Sequence, residues 1–180
     1  MPKAAPDSRT VTYSSSTPSE EPVDRNSYRS TATGNEPMLI RLPSINTTAF
    51  IQGVGVDQRG EIAVPNNVHL VGWFTQGAKP GEPGLSIIDG HVSGPTVEAV
   101  FAKLPRIKVG DQFEVEQADR TVLRYKVVDR KAVATAEAAS FLFSQDPAIA
   151  SQLNLITCIG TFDHKTRSYD KRLIVAAKLL

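Results

Sequence analysis

From Pro37 onward, short apolar runs alternate with turn-forming residues. Met38 to Leu42, Ala49 to Val54, Glu61 to Val64, Leu70 to Phe74 and Leu85 to Val92 have the length and the β-branched or aromatic content of strands. Pro43, Asp57 to Gly60, Pro65-Asn66-Asn67 and the loop Gly77 to Gly84 separate them, glycine and proline supplying the breaks. Between Thr96 and Leu104 the apolar positions become Val97, Val100, Phe101 and Leu104, an i, i+3, i+4, i+7 stripe that predicts a short helix opened by Pro95 and Thr96. Gln112 to Glu116 and Thr121 to Val128 then predict two strands joined by a hairpin turn over Gln117-Ala118-Asp119-Arg120. Ala136 to Phe143 predicts a second helix ended by Asp146-Pro147, and two last strands carry Cys158 and Arg172. About eight or nine strands, two helical inserts and no internal repeat make the fold mainly β, a small closed or nearly closed barrel.

The first thirty-six residues break this pattern. They contain no Leu, Ile, Phe or Trp and are rich in Ser, Thr and Pro, too little apolar surface to fold alone, so 1–36 is expected to be a disordered polar arm and 37–180 the folded domain. No stretch reaches the roughly eighteen apolar residues of a membrane span, and the N-terminus lacks the charged-then-apolar pattern of a signal peptide. Twenty basic and nineteen acidic residues leave a formal charge of +1, which gives no field directed at nucleic acid or an anionic membrane surface. The single cysteine excludes an internal disulfide, and with three dispersed histidines it offers no zinc-type ligand spacing, so no metal or other cofactor is expected.

That cysteine directs attention to chemistry. Taken alone, a thiol at the end of an apolar run is more often an inert buried side chain than a nucleophile. Cys158, however, ends Asn154-Leu155-Ile156-Thr157-Cys158, and Arg172 follows fourteen residues later at the start of another apolar run. Antiparallel pairing of the two strands returns the guanidinium toward the thiol, where a permanent positive charge can stabilise a thiolate or an oxyanion. Arg167 competes for this role, but its neighbours Lys165, Thr166 and Ser168 read as a loop, where a guanidinium stays hydrated. Of the three histidines, His91 closes an apolar strand-like run after Gly90, whose backbone freedom is expected to let the imidazole project at the strand end. His164 lies in a polar loop and is the weaker alternative base; His69 reads as packing or surface.

Val71-Gly72-Trp73-Phe74, Gly77 with Pro80-Gly81-Glu82-Pro83-Gly84, Gly90-His91-Val92, Leu155-Ile156-Thr157-Cys158 and the Arg172 strand, in that order, resemble the sortases, the cysteine transpeptidases of Gram-positive surfaces. The resemblance spans about Pro37 to Leu180 and is nearest to the actinobacterial class F type, with Ile159 and Ser93 standing where class F members commonly have glycine and aspartate. It implies a closed eight-stranded barrel and a site in which Cys158 is the nucleophile, His91 the proton carrier and Arg172 the substrate and oxyanion clamp. Ile156 and Thr157 are expected to bind or support substrate, and the Gly77 to Gly84 loop to frame the groove. The implied partners are a Leu-Pro-x-Thr-Gly-like sorting peptide and an amine acceptor, either a peptidoglycan precursor or a pilin lysine. The implied location is the outer face of a Gram-positive-type cell, on an N-terminal membrane anchor expected upstream of this ectodomain. Two other readings stay open: a different cysteine transpeptidase or hydrolase, although the Ser-x-Gly-Cys-x-Arg-like pattern of L,D-transpeptidases is absent, and a non-catalytic β-barrel binding module with a structural thiol.

Overall fold

The computed structural model describes residues 17–24, 28 and 30–180. Eight strands close into one barrel: β1 Pro37–Leu42, β2 Thr47–Val54, β3 Val71–Phe74, β4 Gly84–Gly90, β5 Gln112–Gln117, β6 Val122–Ala134, β7 Ser151–Asp163 and β8 Ser168–Leu179. Around the barrel the order is β1-β2-β3-β4-β7-β8-β6-β5. A one-turn helix, α1 (Ala138–Leu142), follows a tight turn at Thr135–Glu137 between β6 and β7.

Alternation fills the barrel. Ile40 and Leu42 from β1, Phe113 and Val115 from β5, Tyr125 and Val127 from β6, Leu153 and Leu155 from β7, and Leu173, Val175 and Ala177 from β8 all point into one buried core. A second apolar layer lies outside the wall, where Phe74, Ile87 and Ile174 meet Val133 and the α1 residues Ala138 and Leu142, with Ile156 packed against them. Strands β3, β4 and β7 therefore bury both faces, which explains why Val71-Gly72-Trp73-Phe74 and Leu153 to Thr157 read as continuous rather than alternating runs.

Two pairings in the barrel are parallel, β2 with β3 and β4 with β7. The second sets the site: strands that run side by side in the same direction end at the same rim, so the chain leaving β4 at Gly90 meets β7 near Thr157 and Cys158.

Several expectations change. The stretch Glu61 to Val64 is no strand; it contributes only the isolated bridge Val56 to Ile62. Thr96 to Leu104 is not a helix, because its donors are taken by tertiary partners: Val100 N–H by the Val68 carbonyl at 2.9 Å and Phe101 N–H by the His91 carbonyl at 3.0 Å. Only Leu104–Arg106 closes a tight helical turn, although Phe101 and Leu104 are core residues as the stripe implies. The Gly77 to Gly84 loop sits at the start of β4, and the seven residues of that strand, at about 3.3 Å each, place it roughly 23 Å from His91. It frames the opposite rim, with Gly81 N–H donating to the Tyr125 hydroxyl at 2.8 Å.

The polar arm also differs from expectation where it is described; residues 1–16, 25–27 and 29 lie outside the described residues. Ser19 bridges Asn67 in parallel, Glu20 bonds to Thr96 and Val97, and the Tyr28 ring lies 4.7 Å from that of Phe50. A segment with too little apolar surface to fold alone still docks when its polar groups meet unpaired backbone donors on a formed surface. No helix among the described residues is long and apolar enough to cross a membrane.

Candidate active site

Cys158 and Arg172 are directly opposite one another in the antiparallel pair of β7 and β8. Both side chains are half-buried. The guanidinium is oriented by acceptors around the strand ends: Nη1 donates to the carbonyls of Tyr169 (3.0 Å) and Lys171 (3.0 Å) and to Thr135 Oγ1 (3.1 Å), and Nη2 lies 3.5 Å from Ser168 Oγ. Arg167, by contrast, is exposed in the hairpin loop with a left-handed backbone at φ 53°.

Across the parallel pair, Asp89 of β4 registers with Ile156 of β7, and two residues further along each chain come His91 and Cys158. The Thr157 hydroxyl donates to the Gly90 carbonyl at 2.7 Å and is buried, so this side chain ties the His91 turn to the cysteine strand and does not face a ligand. Ile156 lies on the outer layer with Ile87 and Ile174, beside the thiol strand end. The His91 ring places Nε2 2.8 Å from the Pro65 carbonyl, and among the described residues no hydrogen bond joins it to Cys158. His164 is exposed, its ring edge-on to Phe162 with centroids 5.1 Å apart. His69 Nε2 lies 3.2 Å from the Glu20 carbonyl.

Gly90 acts differently from the expected flexible hinge. It remains in β4 without a left-handed φ, and a Cβ there would stand 2.6 Å from Phe101 Cδ2. The position takes glycine because the buried Phe101 ring packs flat against the backbone just before His91.

Burial drives both titrating groups toward neutrality. It pushes the Cys158 thiol up, against a downward pull from Arg172 and with a further upward push from Asp89. It also pulls the His91 imidazole down, opposed in part by the Pro65 carbonyl. A neutral thiol and a neutral imidazole, not a thiolate and an imidazolium, are therefore the resting forms at neutral pH.

Asp89 escaped the sequence reading. Burial raises its carboxyl well above the usual carboxylate range, and Oδ1 has no hydrogen-bond partner. Its room comes from Gly72 on β3, where a Cβ would stand 2.4 Å from Oδ1. The available signal was a lone acid inside the apolar run Leu85 to Gly90, a position where solvent cannot reach it from either face of the sheet. A second missed contact is Ser93 Oγ to Tyr169 Oη at 2.8 Å, which ties the segment after His91 to the strand that carries Arg172. Among the described residues no group of His, Cys, Asp and Glu is arranged to hold a metal ion.

A thiol, an imidazole and a fixed guanidinium gathered at one rim of a barrel can carry out acyl transfer through a thioester. A profile of the sortase domain matches residues 40–180. Among solved structures the chain is similar to a lid mutant of sortase A from Corynebacterium diphtheriae, at 24% identity and TM-score 0.60 over 81% of this chain and 72% of that one. It is similar to sortase C-1 from Actinomyces oris at 27% identity and TM-score 0.57, covering 79% of this chain and 72% of that one. It is similar also to a sortase D5 transpeptidase from Clostridium perfringens at 21% identity and TM-score 0.59, covering 81% and 79%. No curated protein sequence matches the chain.

Proposed function

Because the chain belongs to the sortase family of cysteine transpeptidases, we propose that it cleaves a Leu-Pro-x-Thr-Gly-like sorting signal between Thr and Gly and passes the acyl group to an amine. In the minor form of the pair, with the thiol proton on His91, the Cys158 thiolate attacks the Thr carbonyl carbon, and the oxyanion that forms is held by the Arg172 guanidinium. His91 gives its proton to the Gly nitrogen as the C–N bond breaks, leaving a thioester on Cys158. An incoming amine loses a proton to His91, attacks the thioester carbonyl and expels the thiolate; water in its place gives hydrolysis. Ile156, with its apolar neighbours on the outer layer, lines the groove beside the thiol, while Thr157 holds the Gly90 carbonyl and with it the histidine turn.

The observation that carries this reading is the register that sets Cys158 against Arg172 at the rim where β4 delivers His91. The reading requires the imidazole to leave the Pro65 carbonyl and turn toward sulfur when substrate arrives. The acceptor is a peptidoglycan precursor amine or a pilin lysine, the place of action the outer face of a Gram-positive-type cell, and the class nearest to F by Gly90-His91-Val92 and Gly160-x-Phe162-Asp163. Incubation with a Leu-Pro-x-Thr-Gly peptide followed by intact mass spectrometry tests the assignment. The protein should gain the mass of the peptide up to Thr, less water, and Cys158→Ala should gain none. A wild-type protein that stays unmodified across a library of sorting peptides refutes it.

A further inference from the structure

His91 is gripped by two chain segments that are distant in sequence. Its ring meets the Pro65 carbonyl at 2.8 Å, and its own carbonyl accepts Phe101 N–H at 3.0 Å after the chain has looped through Gly94, Thr96 and Val97. Ser19 to Glu21, which precede the region matched to the sortase domain, lie across both segments. Ser19 N–H donates to the Asn66 carbonyl and its carbonyl accepts Val68 N–H, each at 2.9 Å, so it adds a short parallel bridge to the residues directly after Pro65. The Asn67 side-chain amide donates to the Glu21 carbonyl at 3.0 Å. Glu20 then reaches the other segment: Oε1 accepts Thr96 N–H at 2.7 Å and Val97 N–H at 3.2 Å, and Oε2 accepts the Thr96 hydroxyl at 2.5 Å. Gly94 leaves the space, since a Cβ there would stand 2.3 Å from Oε1.

We propose that Glu20 is a positioning residue for His91, its carboxylate pinning the loop after the histidine to the Pro65 segment so that the imidazole is presented at the Cys158 rim. Three donors converge on this one carboxylate, and hydrogen bonds to an ionised acceptor are about twice as strong as neutral ones. Those same donors hold the carboxyl below its usual range, led by the Thr96 hydroxyl, so the clamp stays charged at neutral pH. Without it, the backbone donors of Thr96 and Val97 lose their partner, and what still holds the loop, Gly94 N–H on Val97, Phe101 N–H on His91, Val100 N–H on Val68 and Ser93 on Tyr169, leaves the Thr96 to Val97 tip without its tie to the segment after Pro65.

The inference rests on the role given to His91, and two measurements separate its failure from the failure of that role. The first is titration of the His91 ring by NMR, with the three histidine signals assigned through His69 and His164 variants; it needs no turnover. Burial and the Pro65 carbonyl set the His91 titration, and the histidine whose charge reaches the Glu20 carboxylate is His69. Loss of a neighbouring negative charge alone lowers the imidazole pKa, whereas loss of the pinned, desolvated setting raises it toward about 6.5. Glu20→Ala should raise it, and Glu20→Gln, which keeps the acceptor oxygen, should raise it less. The second is peptide cleavage: kcat should fall on the order of tenfold to a hundredfold in Glu20→Ala with KM nearly unchanged, as for a misplaced catalytic group. Cys158 alkylation by iodoacetamide should keep its wild-type rate, and Glu21→Ala, which leaves the Glu21 carbonyl in place, should behave as wild type. An unchanged or lowered His91 pKa in Glu20→Ala overturns the inference whether or not any sorting peptide is cleaved. A kcat loss matched by an equal loss of thermal stability, with no movement of His91, overturns it too.

Discussion

Gly90→Ala is the most direct probe of how the barrel core sets the site. The added methyl would stand 2.6 Å from Phe101 Cδ2 and 3.0 Å from both Cε2 and Cγ. Non-bonded carbons rest at about 3.5–4.0 Å, so ring or strand must move by about 1 Å. The ring has nowhere to go: Phe101 is 0% exposed, within a core that includes Trp73, Ile88 and Leu104. Such overpacking costs about 1–3 kcal/mol. For a chain of this size each kcal/mol lowers Tm by about 2–4 °C, a fall of roughly 2–12 °C. If the strand yields, His91 moves with it, and a misplacement of about 1 Å at a reacting group costs on the order of a hundredfold in rate. Calorimetry and peptide cleavage on Gly90→Ala, Phe101→Leu and the double variant form the assay. Because the smaller leucine removes the clash, the double variant should be more stable than the sum of the two losses by about 0.5–3 kcal/mol, the range of residues in contact. Strictly additive losses, or a Gly90→Ala protein with wild-type Tm and rate, would show that the ring does not set the histidine turn.

Arg172→Lys should lower kcat/KM about a hundredfold to a thousandfold at unchanged Tm, since an ammonium cannot keep the strand-end contacts and also reach an oxyanion, whereas Arg167→Lys should be near neutral; the reverse order would move the clamp to the loop. The rate of Cys158 alkylation against pH should rise through a midpoint above the ordinary value of about 8.5, because burial outweighs the arginine; Arg172→Gln should move it further up by removing a positive charge and Asp89→Asn down by removing a negative one. In peptide cleavage the rate follows the product of thiolate and imidazolium, so it should climb through the lowered His91 pKa and fall only through the raised Cys158 pKa, a plateau wider than that of two unperturbed groups; an acid limb above about 6.5 contradicts the burial of His91. Gly72→Ala should destabilise the fold by about 1–3 kcal/mol in denaturant melts, because its Cβ meets Asp89 Oδ1 at 2.4 Å and Val54 methyl carbons at 3.0 and 3.1 Å. An added Asp89→Ala change should recover part of that loss.

The strands were legible because a barrel wall imposes a period of two, and β1, β5 and β8 keep it: Ile40 and Leu42, Phe113 and Val115, and Leu173, Val175 and Ala177 all turn inward. The failures have local causes. Val97, Val100, Phe101 and Leu104 have helical spacing, yet the N–H groups that would build the helix are spent on Val68, His91 and Glu20, partners far away in sequence. Glu61 to Val64 has strand composition, but it folds back only on Gly55 to Asp57 through a single bridge, because β2 takes β3 as its barrel neighbour. Polar composition speaks only to whether the arm could bury a core of its own, and it cannot reveal that Thr96 and Val97 present unpaired donors to Glu20.

The site divides in the same way. Cys158 and Arg172 belong to consecutive strands, and hairpin register links residues a short loop apart, so that half was readable from spacing. His91 comes from β4, and only the parallel pairing of β4 with β7 brings its end to the cysteine rim. Parallel neighbours need a crossover, and here it spans β5, β6 and α1 before the chain returns. No local pattern encodes that return. It is stabilised by the core that the crossover strands help to fill and by single contacts at the rim: Thr157 on Gly90, Phe101 against Gly90, Ser93 on Tyr169 and Glu20 on Thr96. These contacts lie outside the groups proposed to react, and each fixes a piece of backbone next to one of them. Substitutions at these positions should therefore act on rate through geometry, with the thiol still present and chemically intact.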